Sequence, residues 1–385
     1  MTKANPAAVL GDELLERIAT RAPGYDAANA FCTEDLDELR AAGYLRLGVP
    51  VERGGAGLGL AATTAVQRRL AEAAPATALG LGMHQVWVQA ARAVTARGGS
   101  FLQAVTDHAA DDHLLAFGVS EPGNDAVLFD SLTTAEPDGD GGYRFTGTKV
   151  FTSLAPAWDV LSVFGKDGSG PEPRLVHGFV LRSDGDVEHL DDWDTLGMRA
   201  TQSRTTKLHG VHVPADRIVR TLPVGPNQDP LVFGVFAAFE LLVASVYVGI
   251  AARAVALAVS AVRSRTAFDG TPRSADPDVR RAIADMRGTV DAIELQVTSL
   301  ARSVDELDDL GPRWFPLLVG AKARAVDAAQ HVVDEAMRVV GGGAYRAGGE
   351  LARLARDVRA GQYHPSSRDS AARTIAASVL GPLAP

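Results

Sequence analysis

From about residue 9 to 110, apolar residues recur at three- and four-residue spacing, as in "DELLERIATRA", "DLDELRAAGYL" and "ATTAVQRRLAEAA". That period predicts a block of amphipathic helices. Within it, "VPVERGGAGLGL" (49–60) carries Gly54, Gly55 and Gly57 and predicts a turn between helices. Near residue 113 the texture changes to short alternating runs rich in Val, Thr and Phe: "LLAFGVSE", "GYRFTGTKVFTS", "DVLSVFGKD", "LVHGFVLRS" and "TTKLHGVHV". Separated by turns such as "EPDGDGG", these predict antiparallel strands. Beyond residue 230 long helical patterns return at 231–268, 277–305, 313–340 and 366–380. The expected organisation is α+β and multidomain: an N-terminal helical domain (1–112), a middle antiparallel β-barrel-like domain (113–228) and a C-terminal four-helix bundle (229–385).

One stretch breaks its own pattern. "LVFGVFAAFELLVASVYVGIAA" (231–252) holds a single ionisable residue, Glu240, among uncharged and mostly apolar neighbours. A desolvated carboxylate is costly unless it is paired, neutralised or used in chemistry. The stretch is long enough to cross a bilayer, but its central acid and its glycines favour a buried helix.

Composition narrows the class. Of 385 residues, 46% are hydrophobic and 22% charged, as in ordinary globular proteins. A net charge of −9 without a clustered basic face argues against nucleic-acid binding. Cys32 is the only cysteine, so no internal disulfide or cysteine-based zinc site forms, and a cytoplasmic setting is expected. The opening "MTKANPAAVLGDELLERIATRA" has helical spacing and scattered acids rather than the apolar core of a signal peptide. Nine scattered histidines, with no HExxH, predict no metal site.

Several segments carry candidate chemistry. In "FGVSEPGNDAV" (117–127) a strand bearing Phe117 and Val119 runs into a turn with Ser120 and Glu121. In "GTKVFTSL" (147–154) a second strand carries Phe151, Thr152 and Ser153. Hydroxyls and amides at strand ends suit the polar edge of a planar heteroaromatic ligand, and Phe151 offers an apolar face. "RSRTAF" places Arg265 and Phe268 three apart, a guanidinium for a phosphate and an aromatic for a ring. "RVVGGGAY" (338–345) follows a helix with three glycines, yet lacks the strand-first order of a Rossmann fingerprint. His364 precedes Pro365 between two helices and is a possible proton donor.

In this order the segments resemble the acyl-CoA dehydrogenase family across almost the whole chain. "VPVERGGAGLGL" resembles its Pro-Glu-Gly-Gly-Gly turn, "SEPGNDAVLFDSLTTA" its T-E-P segment, and "GYRFTGTKVFTS" its G-x-K-x-W-I-T strand. "LGMRATQSRTTKLHGVHVPADRIV" is similar to its closing strand pair, "RSRTAF" to its R-x-x-F, and "VVGGGAYRAGGELARLARD" to its G-G-x-G-Y…RD segment. The resemblance implies bound FAD lined by Phe117, Val119, Ser120, Phe151, Thr152 and Ser153, with Phe151 in place of the usual Trp. It also implies a homodimer or homotetramer, with Arg265, Phe268, Arg338, Gly341, Gly342 and Ser367 near the FAD. Of these, Arg265, Phe268 and the backbone of Gly341 and Gly342 would meet the FAD of a neighbouring copy. The glutamines that often contact FAD in the family appear here as Pro277 and Arg338.

The departures concern the chemistry. The usual catalytic Glu of Y-E-G-T falls on Pro365, inside His364-Pro365-Ser366-Ser367. Some members carry the base instead at the start of the bundle's first helix, and Glu240 lies one residue from that register. The first expectation is α,β-dehydrogenation of an acyl thioester, on CoA or an acyl-carrier protein, with Glu240 and His364 as catalytic residues. The alternative is a flavin-dependent monooxygenase, for which Arg356, Arg359 and His364 reproduce an R-x-x-R…H pattern and the His would serve reduced flavin in its reaction with O₂. A third possibility is a non-catalytic flavin-binding protein that lost its base.

Overall fold

A computed structural model describes residues 9–381, so the first eight residues of the N-terminal stretch lie outside the described residues. Helices α1 (Asp12–Ala28), α2 (Thr33–Ala41), α3 (Leu60–Ala73), α4 (Pro75–Ala96) and α5 (Gln103–Ala110) come first. Strands β1 (Leu115–Phe117), β2 (Thr134–Pro137), β3 (Tyr143–Thr152), β4 (Val160–Asp167), β5 (Arg174–Leu181), β6 (Val187–His189), β7 (Arg204–Val213) and β8 (Ile218–Pro223) follow. The remaining helices are α6 (Pro230–Arg263), α7 (Pro277–Asp305), α8 (Trp314–Val340), α9 (Glu350–Asp357) and α10 (Arg368–Leu380).

The long helices start where local chemistry dictates. Asp229 caps α6 by accepting from Leu231 N at 2.9 Å, and Asp276 caps α7 by accepting from Asp278 N at 2.9 Å. In both cases a proline fills the first helical position, where its missing N–H costs nothing. Helix α6 ends at Arg263, so Arg265 and Phe268 stand in the following loop rather than in the helix expected to reach residue 268. Apolar on nearly every side, α6 packs against α3, α4, α7 and α8 and is the buried axis of the helical part. By length and composition it passes for a membrane span, yet 83% of its most apolar window is buried by those neighbours.

The sheet runs β6-β7-β3-β2-β4-β5-β8, with β1 added beside β4. It is open rather than a closed barrel. The β1–β4 and β2–β4 pairings are parallel, so β4 shares one edge between two strands and the path ends on β6 and β8 instead of returning on itself. Strands β4 and β5 are buried along almost their whole length.

Two junctions tie distant segments together. The carboxylate of Asp305, at the end of α7, accepts from Leu60 N at 2.8 Å and Ala61 N at 2.9 Å and so caps α3 from a distant helix. A Cβ on Gly59 would lie 2.5 Å from that carboxylate, which explains the glycine. Asp357, at the end of α9, accepts from Met198 N at 2.6 Å, and a Cβ on neighbouring Gly197 would meet the Arg356 carbonyl carbon at 2.5 Å. Burial raises the Asp357 carboxyl to about 6 in spite of that N–H.

Candidate functional site

The two hydroxyl-bearing strand ends meet. Val150 N donates to Ser120 O at 2.8 Å, which joins the turn after β1 to the end of β3. There β3 shifts register against β7 between Lys149 and Thr152, and Phe151 takes a positive φ of 56°. That irregularity turns the Phe151 ring outward, 57% exposed, edge-on to Trp193 at 6.2 Å. Thr152 is buried and its Oγ1 has no partner. Ser153 Oγ lies 2.7 Å from Ser203 Oγ, which lies 2.8 Å from Thr201 Oγ1, forming a chain of hydroxyls. An exposed aromatic face beside an orphaned hydroxyl and a hydroxyl chain fits a planar ring system with a polar edge, as in a flavin. Phe117 points elsewhere, stacked on Phe239 at 5.8 Å and tilted against Trp87 at 5.7 Å, and Val119 is buried beside it.

Glu121 has a different occupation. Its carboxylate accepts from Lys149 Nζ (2.6 Å), Ser131 Oγ (2.7 Å), Thr133 Oγ1 (2.6 Å), Leu132 N (2.7 Å) and Asn124 Nδ2 (2.8 Å). Burial alone would raise its pKa, but the Lys149 charge and these donors bring it down to about 2. Burial pushes Lys149 down to about 8, so the pair is ionised at neutral pH. The glutamate of the S-E-P turn is therefore a structural knot.

A second cluster lies where α6, α8 and the segment before α10 converge. Glu240 is 1% exposed; its Oε1 accepts from Ser366 Oγ at 2.9 Å and Ser366 N at 3.3 Å, while Oε2 has no partner. Burial raises this carboxyl above the usual range, against the opposing charge of Lys322 and the Ser366 hydrogen bonds. Lys322, itself 1% exposed and lowered by burial, donates to the carbonyls of His364 (2.9 Å), Ser366 (2.9 Å) and Gly361 (3.3 Å). His364 Nε2 lies 2.8 Å from Tyr247 Oη. Burial, then the Lys322 charge, pushes the His364 imidazole down to about 3, so the ring is neutral at physiological pH.

The other expected residues are dispersed around the C-terminal helices. Arg265 donates to Val340 O at 2.7 Å, just before Gly341 (φ 76°) and Gly342. Phe268 is fully exposed, with nothing of its own chain covering it. Arg338 forms an exposed pair with Glu335 at 2.7 Å, and Ser367 caps α10 by accepting from Ser370 N at 3.3 Å. Arg356 pairs with Asp26 and Arg359 with Asp334, so neither guanidinium of the R-x-x-R pattern contacts His364. Pro277 opens α7.

Sequence reasoning missed Lys322, Ser366, Tyr247 and the Thr201–Ser203 hydroxyls. The visible signal was Lys322 in "LLVGAKARAV", a lone lysine on the apolar face of its helix, at the spacing of buried Leu318, Ala325 and Ala329.

The chain is similar to L-evernosamine nitrososynthase of Micromonospora sp., 30% identical over 390 residues that span 96% of this chain and 88% of that one. It is 28% identical to a dibenzothiophene monooxygenase of Rhodococcus qingshengii, over 85% of this chain and 82% of the relative. Among solved structures, KijD3 in complex with FMN and dTDP-3-amino-2,3,6-trideoxy-4-keto-3-methyl-D-glucose superposes with a TM-score of 0.87 at 27% identity, covering 98% of this chain and 94% of that one. The family models for the acyl-CoA dehydrogenase N-terminal and C-terminal domains match residues 11–100 and 234–380. With its three-part architecture and near full-length relatives, the protein belongs to the acyl-CoA dehydrogenase family of flavin-dependent oxidoreductases.

Proposed function

We propose that this family member is a flavin-dependent monooxygenase rather than an acyl-thioester dehydrogenase. The observation that carries the reading is the cluster around His364. The position of the usual catalytic glutamate is Pro365, and the remaining acid, Glu240, is engaged with Ser366 beside the Lys322 charge. What is left to meet a reacting group is a neutral imidazole. Burial keeps the Tyr247 hydroxyl protonated well beyond its ordinary range, and we take it to donate to His364 Nε2, which assigns the ring proton to Nδ1. A neutral donor suits oxygen chemistry, whereas α-proton removal needs a base. The relatives named as a nitrososynthase and a dibenzothiophene monooxygenase support the same reading.

The S-E-P turn, which resembles FAD-holding dehydrogenases, does not weigh against it, because Glu121 is consumed by structural bonds. Ser120, Phe151, Thr152 and Ser153 would hold the flavin ring, and Arg265, Phe268, Gly341 and Gly342 its distal part from a second copy in a homodimer or homotetramer. Bound reduced flavin would supply two electrons to O₂, one oxygen atom passing to substrate and the other leaving as water. The chain's own contribution is to enclose that reaction, with Ser153, at the head of the Ser203–Thr201 hydroxyl chain, offering one proton and His364 Nδ1 a further one. We take the flavin to be FMN, as in the KijD3 complex, delivered reduced by a separate NADH-dependent reductase.

The test is ¹⁸O₂ incorporation into product with reduced FMN or FAD, over a panel of amino-sugar nucleotides, sulfur heteroaromatics and acyl thioesters. Labelled product with FMN supports the proposal. Anaerobic bleaching of bound flavin by an acyl thioester, with no label incorporated, overturns it and restores the second reading. That reading, dehydrogenation with Glu240 as base, is favoured by one observation: the unpartnered, buried Oε2 of a carboxylate whose basicity is raised.

A further inference from the structure

Ser366 is held from both sides. Its N–H and hydroxyl donate to the Glu240 carboxylate on α6, and its carbonyl accepts from the Lys322 ammonium on α8. The same ammonium also takes the carbonyls of His364 and Gly361, so three carbonyls of one short segment converge on one charge. Gly361 seals the near end: a Cβ there would lie 2.6 Å from Val326 Cγ1 and 2.9 Å from the Tyr247 ring. The 3-10 turn Val358–Gln362 closes with Tyr363 N donating to Ala360 O at 3.0 Å, and beyond it, at His364–Ser366, an acid and an amine from two different helices hold the chain.

We propose that Lys322 and Glu240 form a charged clamp whose task is to position His364, with Lys322 the principal positioning residue. The inference rests on the functional reading above only for what His364 then does. Buried ammonium groups are expensive, and hydrophobic replacements of buried charges are often neutral or stabilising. Here the charge is spent on backbone carbonyls that an apolar side chain would leave without a donor. Its charge also opposes protonation of the imidazole. The groups around His364 are Tyr247 and Glu240 from α6 and Lys322 from α8; the Asp357 charge of α9 acts on Tyr247, and Asp327 acts on Lys322 from its own helix.

The experiment is nuclear magnetic resonance of the full chain labelled at histidine nitrogen and carbon, with the His364 signals assigned by His364→Gln. In the wild type the ring is expected to be neutral down to pH 5 and to occupy the single tautomer protonated at Nδ1. In Lys322→Met the titration midpoint is expected to rise by at least about one pH unit and the tautomer to average, with His84 and His177 unmoved. Lys322→Gln keeps two N–H donors but loses the charge; it provides the same comparison if the Met variant does not fold, with a smaller shift expected. A purely structural lysine would lower urea stability without moving the His364 signals. Wild-type His364 titrating near its ordinary value, or unchanged His364 signals in either folded variant, overturns the clamp. The ¹⁸O₂ incorporation assay decides the functional reading separately, so one can fail without the other.

Discussion

Glu121→Gln tests the claim that the S-E-P glutamate is structural. All groups around this carboxylate are donors: Lys149 Nζ, Ser131 Oγ, Thr133 N and Oγ1, Leu132 N and Asn124 Nδ2. A glutamine fits the space, but its NH₂ must face two or more N–H or O–H groups whichever way it is turned, and Lys149 is left as a buried cation without a counter-charge, donating to the Phe164 carbonyl at 2.8 Å and lying over the Phe164 ring. Breaking a buried pair in this way costs about 3–5 kcal/mol. Lys149→Met is milder, at roughly 1–3 kcal/mol, since the carboxylate keeps its other donors. The measurement is urea unfolding followed by tryptophan fluorescence at pH 7 and at pH 3.

The pH arm has a definite sign. Glu121 ionises at about 2 when folded against an ordinary value of 4.5, so its contribution is complete above about 4.5 and is lost as pH falls toward 2. The gap between wild type and Glu121→Gln must therefore narrow on acidification. A variant within about 1 kcal/mol of wild type at pH 7, or a gap that stays constant to pH 3, would refute the structural assignment. Lost turnover at intact stability would place Glu121 in the chemistry.

Three further outcomes are expected. Asp305→Ala removes the distant cap of α3 and should cost about 1–2 kcal/mol in urea unfolding, with Asp305→Asn recovering part of it. Gly197→Ala drives a methyl group into the Arg356 backbone and should cost about 1–3 kcal/mol while weakening protection of the Met198 amide in hydrogen exchange. Under the proposed monooxygenase function, Tyr247→Phe takes the partner from His364 Nε2 and should reduce coupled turnover by roughly ten- to a hundredfold, with more hydrogen peroxide released per reduced flavin consumed and unchanged flavin affinity.

Much of the fold could be read from local pattern, since helix period, strand alternation and the Asp-Pro starts of α6 and α7 are local properties. The parallel pairing of β4 with β1 and β2 was not legible, because alternation says which face a residue takes and nothing about which strand lies beside it. Glu240 announced itself as a charge without a reason, but its partners lie about eighty and more than a hundred residues further along the chain, in a helix and in an irregular segment. Phe151 was visible as an aromatic; the register shift that exposes its face depends on β7. The S-E-P glutamate carried no sign of its role, because a motif letter does not distinguish a ligand from a brace.

The 34 residues of α6 carry a constraint on the gene as well as the protein. At 1.5 Å per residue the helix is about 50 Å long, and it packs on N-terminal helices α3 and α4 as well as on α7 and α8. Between Val235, buried near its start, and Glu240, aimed at Ser366, there is no loop in which an added codon could be absorbed. Inserting or deleting one residue there would swing everything downstream by about 100°, carrying Glu240 off Ser366 and Tyr247 off His364 together. Variation in this protein should accordingly arrive in α6 as substitution, and changes in length should collect in the turns at either end.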